Sequence, residues 1–553
     1  GELTPTQLKR YRKTQEEFNA KTIADYQCVY DEKMKYFKSL YKADKADLFA
    51  TDEYQSFLAA NEGWLLPYAQ FMSKRDKQPK DFYCYLQFHA DKQLREAVDY
   101  AHSVGVAFKG DIPIGISPDS VDASTDPHLF NLSASAGAPP DDFDARGQNW
   151  GFPTYNWDVM SQDDYQWWKF RFTKMADYFD AYRVDHILGF FRIWQMRKSD
   201  VWGLCGHFSP AMPYSLQDLW NMGVKLDEDR LTKPYLRAHF LGEVFGYDTD
   251  FVKQNFLLTI DGNIYYFPEH LDTQRKVQQY FLNPEHRAAL EGKCDIDNVM
   301  NGLLYLHCEI LFVRDQKNPS MLHPRIAMYQ SHNFSELYAD QRQLLMDIHN
   351  DYFYHRHTAF WRDSAMKKLP TLIASTDMLC CGEDLGMVPD CVPWVMNQLQ
   401  ILSLEIQRMP KDPKDEFGHV QNYPFLSVCT IGTHDMSTLR GYWKEDSQIT
   451  ERYYHYELGH WGDVPADAPG WLCKDIVKRH LECPSLLCIL TWQDWTAIDE
   501  NLRNPDIESE RINVPANPRH YWRWRMHISI EDLMKEDAFN CEIRRMITDS
   551  GRL

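Results

Sequence analysis

Three apolar runs of the sequence end on carboxylates: Asp185 in "AYRVDHILG", Glu383 and Asp384 in "MLCCGEDLG", and Asp435 in "FLSVCTIGTHD". A carboxylate is costly to desolvate unless it is paired. Cleaving a glycosidic bond with retention needs one carboxylate to attack the anomeric carbon. A second must protonate the departing oxygen and then take a proton from the acceptor. Three chain positions can supply both groups and a helper. Arg183 stands two residues before Asp185, so on a strand the two share a face. Arg183 is therefore expected to hold Asp185 ionised and to lower its pKa. Glu383 and Asp384 are adjacent and face opposite sides of a strand, so at most one enters a common site, and the residues alone leave open which. Taken singly, each motif is more commonly a structural ion pair. The recurrence favours chemistry, as do the nearby Trp150, Trp157, Trp194 and Trp443, although each tryptophan alone is more commonly core.

The elements that must position these groups follow one grammar. Apolar runs ending in polar residues also occur at 106–122, where Asp111 is delivered, and at 402–409 and 485–494. Helical stretches such as "DYQWWKFRFTKMADYFD" (164–180) lie between them. This alternation predicts an α/β fold with a parallel sheet. Polar strand ends suit the active face of a (β/α)₈ barrel, with a doubly wound open sheet as the alternative. Residues 1–105 read as a helical segment and 106–199 as strands carrying the first carboxylate. Residues 200–370 read as a mainly helical insertion, with "NGLLYLHCEILFVRDQ" (301–316) as helix, and 371–553 return to the strand grammar.

At 553 residues and 44% hydrophobic, the chain can bury a large core. Its 60 basic against 80 acidic residues give a net charge of -20, which opposes binding to nucleic acid or an anionic membrane surface and suits neutral ligands. No run is long and apolar enough to span a membrane, and no secretory signal is evident. The 13 cysteines, including adjacent Cys380 and Cys381, follow no regular spacing and suit reduced thiols in a cytoplasmic setting. No zinc-ligand spacing and no phosphate-cradling glycine loop is evident, so no metal or cofactor is expected. The "HRH" at 355–357 lies in helical texture and reads as surface or packing. The chain begins at Gly1, not Met, which points to a processed or cut chain.

Five motifs together carry a family resemblance: "GDIPIGISPDSVD" (110–122), "GAPPDDFDARGQNWGFPTYNW" (137–157), "YRVDHILGFFRIW" (182–194), "CGEDLGMVP" (381–389) and "THDMSTLRGYW" (433–443). The chain resembles glycoside hydrolase family 77, the 4-α-glucanotransferases or amylomaltases. The resemblance implies an α-amylase-type (β/α)₈ TIM barrel without a trailing β-domain. It implies Asp185 as nucleophile, Glu383 as general acid/base and Asp435 as the carboxylate that grips sugar hydroxyls. Arg183 and His434 match positions that bind the sugar beside the scissile bond, and Asp111, Asp141, Gln148 and Trp150 match substrate-lining positions. His186 also matches, and the alternative of a satisfied structural histidine stays open. Asp142 stands where members usually carry an aromatic residue.

Asp185 and Glu383 are 198 positions apart, against 52 between Glu383 and Asp435. The long first gap resembles the plant cytosolic disproportionating branch and its bacterial relatives, in contrast to short bacterial amylomaltases. That likeness implies maltose as glucosyl donor and a glucan such as glycogen or a heteroglycan as acceptor. The branch carries starch-binding modules and the first barrel strands ahead of the helical segment. These residues are therefore expected to be the carboxyl-terminal part of a longer polypeptide, with the run at Asp111 as its third strand. The insertion has two open roles, holding a second subunit in a homo-oligomer or covering the cleft. The rival readings are a hydrolytic amylase-like enzyme and a non-catalytic glucan-binding protein.

Overall fold

The computed structural model describes every residue except 1, 2, 142, 143, 516, 518 and 519, so Gly1 and Asp142 lie outside the described residues. The frame is a set of short parallel strands: β1 (Lys109–Ile112), β2 (Ala181–Val184), β3 (Leu379–Gly382), β4 (Ser403–Ile406), β5 (Ser427–Thr430) and β6 (Leu487–Cys488). Alternation places each side chain. In β2, Tyr182 and Val184 are buried on one face while Arg183 emerges on the other. β1 pairs with β2, β2 with β3, β4 with β5 and β5 with β6, all in parallel. A parallel bridge from Cys381 to Leu402 joins β3 to the start of β4. Spatial neighbours thus follow chain order. Among the described residues, the outer edges of β1 and β6 have no strand partner.

Helices fill four of the five connections, and the link from β4 to β5 holds only the 3₁₀ turn Val420–Asn422. Gln166–Met175 precedes β2, Thr358–Ile373 precedes β3, Val392–Gln398 precedes β4 and Gly470–Leu481 precedes β6. Trp168, Phe172, Leu369, Leu372, Val392 and Val395 from three of these pack into one core with Tyr182 and Val184. Ahead of the sheet come α1 (Pro5–Asn19), α2 (Tyr26–Phe49), α3 (Asp52–Asp76) and α4 (Lys80–Ser103). Side chains of Thr4, Asp25 and Thr51 cap the first three, each satisfying an N–H that the helix leaves unpaired. These helices bury their own aromatic core, including Tyr54, Phe57, Phe82 and Tyr83.

A separate antiparallel sheet holds Gln148–Asn149, Ala134–Ala138, Ile193–Arg197 and His207–Ser209, in that order. Its closeness excludes side chains at Gly137, where a Cβ would lie 2.0 Å from the Gln148 carbonyl oxygen. Between β2 and β3 the chain forms a further core around Leu236, Phe240, Val277, Phe281 and Leu303. The helical reading of 301–316 holds only as far as Leu306. Beyond it, Phe312–Arg314 pairs antiparallel with Met321–Pro324. Leu311, Phe312 and Val313 are all buried, and so short an apolar run is ambiguous between helix and strand until its neighbours are known.

Candidate active site

The carboxyl ends of β2 and β3 bring two carboxylates together. The register pairs Val184 with Gly382, so Asp185 and Glu383 leave adjacent strands at the same level. Backbone N–H groups fix Glu383: His186 donates to Oε2 at 2.8 Å and Leu385 to Oε1 at 3.1 Å. His186 adopts a left-handed conformation, φ 45°, which is strained for a residue with a side chain. Asp384 takes the other side. It accepts from Lys411 Nζ at 2.7 Å and from the Leu404 N–H at 2.9 Å, and is almost fully buried.

Arg183 bridges two acids. Its Nη1 lies 2.8 Å from Asp185 Oδ1 and 3.0 Å from both oxygens of Asp111. Asp111 stands opposite Arg183 in the register and is half exposed. It is not among the residues that line the cavity and reaches it only through the arginine. The remaining candidates do line one cavity of about 460 Å³: Asp185, Glu383, Asp435, Arg183, His434, Asp141, Gln148 and Trp150.

The electrostatics of the two carboxylates diverge from the sequence expectation. Burial raises the Asp185 pKa above its ordinary 3.8; Arg183 opposes this, and the nearby Asp111 charge adds to it. The expected lowering is thus corrected: desolvation outweighs an arginine whose charge is shared with a second acid. Burial pushes Glu383 up to about 7, with Arg183 opposing and Asp185 reinforcing. Glu383 thus keeps its proton up to about neutrality, the condition for it to act as a general acid.

Asp435 is placed differently. It follows β5 by a loop, and its Oδ1 accepts from Asn513 Nδ2 at 2.6 Å. His434 Nε2 lies 3.3 Å from Asp435 Oδ2, its carbonyl accepts from the Asn513 N–H, and its ring packs against Trp522 at 5.0 Å between centroids. Asn513, Trp522 and Arg192 line the cavity as well, and sequence reasoning did not select them. For Trp522 the available signal was the aromatic, basic run "NPRHYWRWR" from 517 to 525, and for Arg192 its place in "YRVDHILGFFRIW"; Asn513 lies outside both. Arg192 is buried with its guanidinium 4.0 Å from the Phe208 ring centroid, and donates to the Met387 carbonyl beyond Glu383.

The tryptophans divide. Trp150 lines the cavity, donates to Gln148 Oε1 at 2.9 Å and stacks on Phe152. Trp194 borders it from the core, whereas Trp157 stacks on Trp168 and Trp443 donates to the Pro465 carbonyl. The His186 ring also borders the cavity, edge-on to Trp150, and burial lowers its pKa to about 3, so the ring is neutral. His357 of the "HRH" run is a packing residue, accepting from the Met212 N–H at 2.8 Å. Among the described residues, two clusters of side chains able to ligate a metal lie elsewhere, at His207, Asp315 and His323 and at His239, His332 and Glu336.

The chain is 36% identical to the 4-alpha-glucanotransferase DPE2 of Oryza sativa subsp. japonica, a match covering 96% of this chain and 59% of the rice protein. It thus spans about three-fifths of that relative's length. It is 32% identical to the 4-alpha-glucanotransferase of Chlamydia muridarum, covering 93% of this chain and 75% of the other. An amylomaltase from Streptococcus agalactiae, solved in complex with acarbose, superposes with a TM-score of 0.58 at 17% identity over 96% of this chain and 81% of its own. That likeness supports an α/β, TIM-barrel-like fold. The family model described as 4-alpha-glucanotransferase matches residues 73–530, and the chain belongs to that family, glycoside hydrolase family 77.

Proposed function

We propose that the protein is a retaining 4-α-glucanotransferase working through Asp185, Glu383 and Asp435. One observation carries this reading: Asp185 and Glu383 leave paired strands at one level, in one cavity, with Glu383 protonated up to about pH 7. Adjacent strands lie about 4.8 Å apart. Carboxyl groups about 5–5.5 Å apart suit a covalent intermediate, and wider gaps suit direct attack by water. Asp185 attacks the anomeric carbon of an α-1,4-linked donor as Glu383 protonates the leaving oxygen. The glycosyl-enzyme forms and the shortened sugar departs. Glu383, now ionised, takes the proton of an acceptor 4-hydroxyl, that oxygen attacks the anomeric carbon, and Asp185 is released. Asp435, held by Asn513, grips sugar hydroxyls. Trp150 supplies a stacking face, and Gln148, Asp141 and His434 supply polar contacts. Asp111 acts through Arg183.

In this reading maltose is the donor and a glucan such as glycogen the acceptor. β1 to β6 are the third to eighth strands of an eight-stranded barrel, and the open edges of β1 and β6 are where two further strands close the ring. Residues 1–105 pack on that barrel, 106–199 carry its third and fourth strands, 200–370 form an insertion, and 371–553 supply the rest. Starch-binding modules precede them. The 13 cysteines are all free thiols, which goes with a cytoplasmic setting.

Incubation with maltose and glycogen tests the activity. One glucose released per maltose consumed is the outcome of transfer; two per maltose mark hydrolysis and overturn the reading. Asp185→Asn is expected to abolish turnover, and unchanged activity in that variant removes the nucleophile assignment.

A further inference from the structure

We propose that His239, His332 and Glu336 form a binding site for a divalent transition-metal ion such as Zn²⁺, remote from the cavity and placed to fasten two hydrophobic cores together. The Nε2 atoms of His239 and His332 each lie 3.2 Å from the same oxygen, Oε1 of Glu336. All three ligand atoms fall within 4.8 Å of one another. Nitrogen and oxygen ligands about 2.1 Å from a tetrahedral zinc stand about 3.4 Å from each other, close to the spacing found here. The two imidazole planes meet at 66°, so their lone pairs can converge on one point. Two imidazoles and one carboxylate suit Zn²⁺ and its neighbours better than Mg²⁺ or Ca²⁺, which prefer all-oxygen shells.

The site is pre-arranged from both sides. His332 and Glu336 are four positions apart on one helical face, and the helix His332–Ser335 is capped by Ser331. The His332 ring stacks on Phe240 at 4.3 Å and 6°. Phe240 follows His239 in the helix Ala238–Phe245, which buries its apolar face in the core around Leu236 and Val277. Phe334, two residues after His332, belongs instead to the core beneath β1 to β3. A metal ion here joins one core to the other. The His239 side chain is 54% exposed and Glu336 24%, leaving an approach from solvent. Arg230 and Arg237 also interact with the Glu336 charge.

The other converging cluster lacks this geometry. The rings of His207 and His323 stack 3.9 Å apart at 10°, so their lone pairs run side by side. His323 already meets Tyr352 Oη at 2.6 Å and Asp315 at 3.0 Å.

Titration of the chelator-treated, reduced full chain with Co²⁺ tests the site. The expected result is intense tetrahedral d–d absorption saturating at one ion per chain, without thiolate-to-cobalt charge transfer, and displaced by Zn²⁺. His239→Asn, at an exposed position, is expected to weaken binding at least tenfold and to cancel the rise in unfolding temperature that Zn²⁺ gives the parent. Glu336→Gln provides a second, nearly isosteric variant with the same expectation. Thiolate bands, absence of saturable binding, or unchanged affinity in both variants would overturn the assignment.

Discussion

The two sides of the cavity are built by different means. On one side, Asp185 and Glu383 stand on directly paired strands, and Glu383 is held by backbone N–H groups of His186 and Leu385. On the other, Asp435 stands on a loop after β5 and takes its hydrogen bond from Asn513, 78 residues later in the chain. The sheet side is a product of register. Once β2 and β3 pair, the carboxylates have nowhere else to go. The loop side depends on a distant segment folding back, so its geometry rests on a few contacts of Asn513 and Trp522 with His434 and Asp435. With the roles proposed above, the comparison teaches a division of labour: proton transfer and bond formation are assigned to the side where the backbone is most constrained, and sugar gripping to the side where it is adjustable.

Mutations on the two sides should differ in size and in kind. Glu383→Gln is expected to lower kcat/KM by roughly 10²–10⁴-fold, the usual worth of general acid–base catalysis. In the proposed mechanism the parent needs Asp185 ionised, so its activity is expected to fall as pH drops through a pKa above the ordinary 3.8. The same mechanism needs Glu383 protonated, so activity is expected to fall again as pH rises through about 7. That basic limb should vanish in Glu383→Gln; a limb persisting near neutrality would assign the acid to another group.

Asn513→Ala comes next. It removes a hydrogen bond to a charged group, worth about 1.5–3 kcal/mol, or roughly 10–100-fold in kcat/KM. Its basic limb should stay where the parent's is, because Asn513 bonds Asp435 on the loop side, whereas Glu383 is held by the backbone of His186 and Leu385. A shifted limb would show that the two sides titrate as one unit and would break the comparison. Trp522→Ala is expected to have the smallest effect, several-fold and mainly in KM, since an aromatic contact contributes about 0.5–1.5 kcal/mol. A loss in kcat as large as that of Glu383→Gln would place this aromatic residue among the groups that touch the reacting atoms.

The sheet side was the more legible in the sequence. Strand alternation and the polar ends of apolar runs pointed to β1 through β6, and period-two spacing put Arg183 beside Asp185. The loop side was legible only in part. Asp435 and His434 were visible in "THD", but Trp522 sits in a run of aromatics and arginines without periodicity, and Asn513 precedes that run in a stretch with no motif. The strand Phe312–Arg314 escaped for a similar reason, since a short, fully buried apolar run has no exposed face to betray its period.

By itself, then, the sequence determined which elements alternate and which acids end them, because those follow from side-chain direction along a local backbone. Only the tertiary structure decided that Glu383 enters the cavity while Asp384 pairs with Lys411. It also decided that Asp111 meets the site through Arg183, and that burial raises Asp185 when a neighbouring arginine alone would lower it. Each of these depends on how much water is excluded and on which distant groups share a charge, and both are set by residues far apart in the chain.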